Sequence, residues 1–119
     1  MIEAHLAIGG LVVALNALVA AVGLFAYWRE LEVPALLGQG IALTQTLALL
    51  QGAFGLYLLA GNHRAPTQLH YVYGLLPSAA VAFAYSARTE SARHNLLVFS
   101  LCAAVIAGLA ARAYTTGMA

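Results

Sequence analysis

The sequence predicts an all-α integral membrane protein, a four-helix bundle with up-down-up-down topology, from three observations. First, 63% of the 119 residues are hydrophobic and 8% are charged, whereas about 25% of the residues of a soluble domain are charged. Second, the few charges lie mainly outside four long apolar segments. Third, the turns between these segments are short, so neighbouring helices are expected to run in opposite directions. We therefore expect a single transmembrane domain over residues 1–119 and no soluble domain.

The first predicted span covers about residues 5–28. A helix crosses the hydrocarbon core with about 20 apolar residues, and in lipid an open chain satisfies its backbone only as a helix. The span ends at Trp28 and Arg29, an aromatic residue and a charge that suit the membrane interface. The segment before it lacks the basic residues of a signal peptide, so we expect this helix to be retained.

The second predicted span covers about residues 34–60 and is bounded by residues that start and stop helices. Pro34 suits the first helical position, because its fixed φ is already helical and no amide donor is lost there. Gly61 suits the C-cap, where a left-handed conformation often ends a helix.

The third and fourth spans are predicted over about residues 67–87 and 95–114. Pro77 lies inside the third span and is expected to kink it, because proline removes a backbone hydrogen bond. The polar stretch between the two spans, residues 88–94, is predicted to form a turn.

The topology divides the polar residues between two membrane faces. We call side A the face with the N-terminus, the 61–66 turn and the C-terminus, and side B the face with the 29–34 and 88–94 turns. Side B has three arginines and side A has two, which favours a cytoplasmic side B under the positive-inside rule. The expected location is a bacterial inner or plasma membrane, with the lipid bilayer as the main partner. A net charge of +1 without a clustered basic face gives no site for nucleic acid.

Small and polar residues recur at helical spacing along each span and are expected to face the other helices. Small residues let helix backbones approach in a membrane, and polar side chains bond across helices. Along the first span this stripe consists of His5, Gly9, Val12, Asn16, Ala20, Gly23 and Tyr27. The amides and hydroxyl expected to bond inside the bundle are those of Asn16, Thr44, Gln45 and Gln51.

A His-x-x-x-Gly motif opens both the first and the third span, as His5 with Gly9 and His70 with Gly74. The repetition is consistent with a duplicated helical hairpin. Whatever its origin, it places both histidines at side A, at similar depth and on different helices. A glycine four residues on lies on the same helix face, so its missing side chain leaves room for a flat macrocycle.

These histidines are candidate metal ligands. Neutral imidazole is the commonest metal ligand in proteins, and helical bundles hold haem between histidines of facing helices. We therefore predict a b-type haem ligated by His5 and His70 in a small electron-transfer module, with Arg64 and Arg112 pairing with the propionates. The arrangement resembles that of membrane b-type cytochromes, although those set paired histidines deeper and often hold two haems.

Other functions fit the same residues. A quinone headgroup could be held by His70, Tyr73 and Arg112, and the first two lie one turn apart on the same helix face. Histidine and tyrosine also favour the membrane interface for structural reasons alone, as in a non-catalytic accessory subunit of a respiratory or photosynthetic complex, or in a homo-oligomer. A small oligomeric transporter is a further alternative, although no charged residue lies at mid-depth in any span. No catalytic residue is predicted, because the sequence has no nucleophile–base pattern and no phosphate-binding loop.

Overall fold

The structure, a computed structural model, describes residues 2–32 and 35–118, and this part of the chain contains four α-helices and no strand. The helices are α1 (Ile2–Trp28), α2 (Ala35–Ala60), α3 (Leu69–Ser86) and α4 (Ala92–Met118). The all-α prediction is therefore confirmed. Pro34, predicted to start the second helix, lies outside the described residues.

Three helices are long and apolar enough to cross a membrane: α1, α2 and the Ala92–Gly117 part of α4. α3 is not among them. By length and apolar composition, therefore, only three of the four predicted spans are confirmed. α3 has 18 residues and is about 27 Å long at about 1.5 Å per residue, against a hydrocarbon core of about 30 Å. It also contains three tyrosines, a histidine, a proline and two serines, which reduce its apolar content.

Packing between the helices is uneven. Each helix contacts the next one along the chain, and α1 also contacts α4, which is the most extensive contact of all. α2 and α3 contact each other least among the neighbouring pairs. A Cβ added at Gly23 of α1 would collide with the side chain of Ser100 of α4, so glycine permits the close approach of these two helices.

The predicted stripe of α1 is the buried face of that helix. Its buried residues are Gly9, Val12, Asn16, Val19, Ala20, Gly23 and Ala26. Every predicted residue from Gly9 to Gly23 is in this set, while His5 and Tyr27 are half-buried. The spacing of small and polar residues therefore predicted the rotation of α1 correctly.

The polar residues inside the helices bond in two different ways. Gln45 accepts a hydrogen bond from the Tyr85 hydroxyl at 2.9 Å, between α2 and α3. The Nε2 of Gln51 donates to the backbone carbonyl of His5 at 2.7 Å, between α2 and α1. Asn16 instead donates to Val12 O at 2.9 Å within its own helix, and Thr44 likewise donates to Ile41 O. The predicted hydrogen bonds between helices are thus confirmed for Gln45 and Gln51. The prediction is wrong for the Asn16 amide N–H and the Thr44 hydroxyl, which donate within their own helices.

The end of α2 differs from the prediction in one residue. Asn62, rather than Gly61, adopts the left-handed conformation, with φ of 65°. The amide of His63 then donates to Leu58 O at 2.9 Å, which satisfies a carbonyl of the last turn. Asparagine tolerates this conformation better than most residues that have a side chain, so it replaces glycine here without a large strain.

Candidate functional site

The two predicted histidines meet at one end of the helices. His5 lies in the second turn of α1 and His70 at the start of α3, and both are half-buried. Their ring centroids are 6.1 Å apart and the ring planes are nearly perpendicular, at 83°. The structure therefore brings together two imidazoles that are 65 positions apart in the sequence.

Each imidazole lies against a glycine of a neighbouring helix. A Cβ placed on Gly55 of α2 would be 3.3 Å from Cε1 of His5. A Cβ placed on Gly117 of α4 would be 2.8 Å from Cε1 of His70. Neither glycine was predicted as a site residue, because the role of each depends on which helices are neighbours and on how those helices are rotated.

The two glycines of the His-x-x-x-Gly motifs have different surroundings. Gly9 is buried, and a Cβ there would be 2.9 Å from Nε2 of Gln51, so the glutamine side chain fills the space that we expected for a macrocycle. A Cβ on Gly74 would meet nothing within 4 Å. The space beside Gly74 is therefore open, while that beside Gly9 is occupied.

Hydrogen bonding orients the His70 ring. Its Nδ1 lies 2.8 Å from the backbone carbonyl of Ala113 in α4, and a carbonyl only accepts, so Nδ1 carries the proton when the ring is neutral. The Nε2 atom then keeps its lone pair. Histidines that bind metals commonly donate their other ring N–H to a backbone carbonyl in this way. On His5, Nδ1 is buried and has no hydrogen-bond partner.

A cavity of about 350 Å³ lies beside the histidines, within the range of about 300–1,000 Å³ typical of cofactor and ligand sites. All four helices and the turn between α2 and α3 contribute to it. Its wall is largely apolar, and the polar side chains on it include His5, Gln51, His63, Arg64, His70 and Tyr73. A few polar groups in an apolar wall are typical of a site that orients a mostly apolar ligand.

The two predicted arginines differ in position. Arg64 lies in the turn between α2 and α3 and lines the cavity. Arg112 is exposed on α4, and its guanidinium carbon is 5.9 Å from the ring centre of Tyr73, a residue that does line the cavity. Arg64 is thus placed to contact a bound ligand directly, whereas Arg112 packs on the outer side of Tyr73.

Tyr71 shapes one end of the site. Its hydroxyl accepts a hydrogen bond from the backbone N–H of Ala65 at 2.9 Å. This contact holds the turn between α2 and α3 against the start of α3, and residues 63–66 of that turn line the cavity. Tyr71 therefore holds in place the turn that forms one wall of the cavity.

The comparisons with protein families, curated proteins and solved structures found no match to this chain. Among residues 2–32 and 35–118, no three or more His, Cys, Asp or Glu side chains are grouped as a metal site. A haem differs from a bare metal ion because its macrocycle supplies four ligands, so that the protein needs to supply only the axial ones.

Proposed function

We propose that this protein is a small integral membrane electron-transfer module that binds one b-type haem between His5 and His70. The spacing of the two rings carries the proposal. An imidazole nitrogen binds a transition metal at about 2 Å, so two imidazoles on opposite sides of one metal have ring centres about 6 Å apart. The observed separation is 6.1 Å.

The surroundings of the rings support the same function. The carbonyl of Ala113 holds Nδ1 of His70, which makes Nε2 the more basic ring nitrogen and the ligand. Arg64 at the cavity wall suits a propionate, because a guanidinium matches the geometry of a carboxylate. The bound haem would supply one-electron chemistry, and the protein would hold and orient it, so no catalytic residue is needed.

We infer further that α3 also crosses the bilayer, which completes an up-down-up-down bundle of four spans. His5 near the start of α1 contacts Gly55 near the end of α2. His70 near the start of α3 bonds to Ala113 near the end of α4. These contacts support opposite directions within each pair, and they suit a duplicated hairpin in a bacterial inner or plasma membrane.

A reduced-minus-oxidised absorption spectrum tests the haem. The protein is purified in detergent from cells supplied with a haem precursor, as wild type and as the variants His5→Ala, His70→Ala and His94→Ala. We expect a sharp difference band in wild type, its loss in the first two variants and its retention in His94→Ala, because His94 is exposed and bonds to Ala87 O. A colourless wild type, or equal bands in all variants, would show that the haem proposal is wrong.

A quinone is the second candidate ligand, and the shared position of His70 and Tyr73 on the cavity wall favours it. The Tyr73 hydroxyl can donate to a quinone carbonyl, and Nε2 of His70 can accept from the hydroxyl of the reduced quinol. Extraction of the purified protein with organic solvent distinguishes the two ligands, since a quinone is recovered with its ultraviolet spectrum and without a haem band. Other membrane subunits, or a second copy of the chain, are proposed partners, and copurification from native membranes tests them.

A further inference from the structure

The cavity is covered on its loop side. Residues 63–66 line it there, and the hydrogen bond from Ala65 N–H to the Tyr71 hydroxyl holds them in place. This turn is polar and joins two apolar helices, so it belongs at the water-facing end of the site.

The side of the cavity between α2 and α3 is more open. These helices make the least contact of the neighbouring pairs, and two of their contacts lie further along α3 than the cavity glycine Gly74. One is the approach of Gly52 to Ser78, with 3.1 Å from an added Cβ to Oγ. The other is the hydrogen bond between Gln45 and Tyr85. Neither contact closes the gap at the level of the histidines.

Apolar, exposed side chains flank this gap. Leu56 of α2 is 53% exposed and Leu75 of α3 is 47% exposed, yet both also line the cavity. Gly74, beside Leu75, has open space where a side chain would stand. The wall of the cavity is therefore continuous with the apolar outer surface of the helices, which faces lipid in a membrane protein.

We propose that the cavity opens sideways into the bilayer between α2 and α3, and that its ligand enters from the membrane as a flat, lipid-dissolved ring compound. The identity of this compound as haem rests on the function proposed above. Haem is a flat apolar ring with two carboxylates on one edge. Entry edge-on, with the carboxylate edge kept toward the water-facing end throughout, brings the carboxylates to Arg64.

Cysteine labelling in lipid vesicles tests the opening. Cys102 is the one cysteine of the chain, so a Cys102→Ala background allows single sites to be compared. Gly74→Cys places a thiol in the gap, and Gly108→Cys is a matched control, because both glycines have nothing within 4 Å of an added Cβ and Gly108 is exposed on α4. Asn62→Cys, in the exposed turn, is the water-facing control.

We expect an apolar maleimide dissolved in the vesicles to label Gly74→Cys and Gly108→Cys at similar rates. A charged, impermeant methanethiosulfonate should label Asn62→Cys and neither glycine position. Labelling of Gly74→Cys by the charged reagent as readily as Asn62→Cys would overturn the proposal, because the site would then open to water. Labelling of Gly108→Cys alone by the maleimide would also overturn it, because the gap would then be closed.

A protection measurement separates this proposal from the identity of the ligand. Haem added to the vesicles should abolish maleimide labelling of Leu75→Cys, a cavity-wall position that keeps Gly74 intact, and leave Gly108→Cys unchanged. Labelling from the bilayer that haem does not block supports the sideways opening and rejects haem as the occupant. Protection by a short-chain quinone in the same assay would then assign the site to a quinone.

Discussion

Single glycines control the position of the histidines. The ring of His70 occupies the space that a side chain at Gly117 would need, with Cε1 at 2.8 Å and Nδ1 at 3.0 Å from an added Cβ. The same Nδ1 donates to the carbonyl of Ala113, one turn earlier on α4. A methyl group at position 117 must therefore push the ring away from its hydrogen-bond acceptor.

We expect Gly117→Ala to weaken haem binding and to reduce the free energy of unfolding by about 1–3 kcal/mol, the usual cost of overpacking. Gly108→Ala is the matched control, because nothing lies within 4 Å of its added Cβ. It should leave binding unchanged and stabilise the helix by about 0.5–1 kcal/mol. Haem titration and denaturant unfolding in detergent measure both quantities. Equal effects of the two substitutions would contradict the role assigned to Gly117.

The sequence predicted one part of this site and not the other. The pairing of His5 with His70 followed from the predicted topology, in which both residues begin helices that start at the same membrane face. Gly55 and Gly117 could not be assigned in this way, since cross-helix contacts depend on rotations that spacing within one helix does not determine. The occupation of the space beside Gly9 by the Gln51 side chain depends on the same rotations.

At the level of the helices, α1 and α4 make the most extensive contact. The missing side chain of Gly23 allows the two helices to approach closely. Gly23 faces Ser100, which is fully buried and whose hydroxyl has no hydrogen-bond partner. Burying a hydroxyl without a hydrogen-bond partner lowers the stability of the folded state. The close approach of α1 and α4 therefore leaves one unsatisfied polar group, the Ser100 hydroxyl.

Gly23→Ala should destabilise the protein, because the new methyl collides with Ser100. Ser100→Gly in the same chain should recover part of the loss, with a coupling free energy of about 0.5–3 kcal/mol in a double-mutant cycle. Gly38→Ala serves as the control, since nothing lies within 4 Å of its added Cβ. Strictly additive effects of the Gly23 and Ser100 substitutions would count against a direct contact.

Helix bounds were predicted well where apolar runs end at a turn, and less well where polar residues continue a helix. The fourth helix was expected from about residue 95, but it begins at Ala92. The reason is local: the hydroxyl of Ser91 accepts a hydrogen bond from the amide of His94 at 3.2 Å, as a helix N-cap does. The first turn therefore includes Arg93 and His94, which were assigned to the preceding turn on polarity alone.

At the level of the whole molecule, the packing is uneven, because α1 and α4 make the most extensive contact and α2 and α3 make the least among the neighbouring pairs. This asymmetry was not visible in the sequence, because all four segments were read as equivalent spans. A four-span bundle requires α3 to cross the membrane beside the other three helices. This is the hardest condition to meet, because α3 is the helix that is not long and apolar enough to be recognised as a span.

Labelling of intact bacteria tests the topology. In the Cys102→Ala background, Asn62→Cys and Glu90→Cys place thiols in the turns before and after α3, and both positions are exposed. A charged, impermeant reagent should label Asn62→Cys in intact cells and Glu90→Cys only after permeabilisation, since the arginines favour a cytoplasmic side B. Labelling of both turns from the same side of the membrane would show that α3 does not cross.

The polarity of α3 also affects the order in which the protein is assembled in the cell. Polar residues near the centre of a segment make its insertion by the translocon less favourable, and α3 carries Ser78 beside the buried Pro77. Its stable placement as a span therefore relies on contacts with its neighbours, including the later helix α4, which supplies a carbonyl for His70. The proposed haem site is complete only after α4 has joined the other helices, which makes cofactor loading a step that follows membrane insertion.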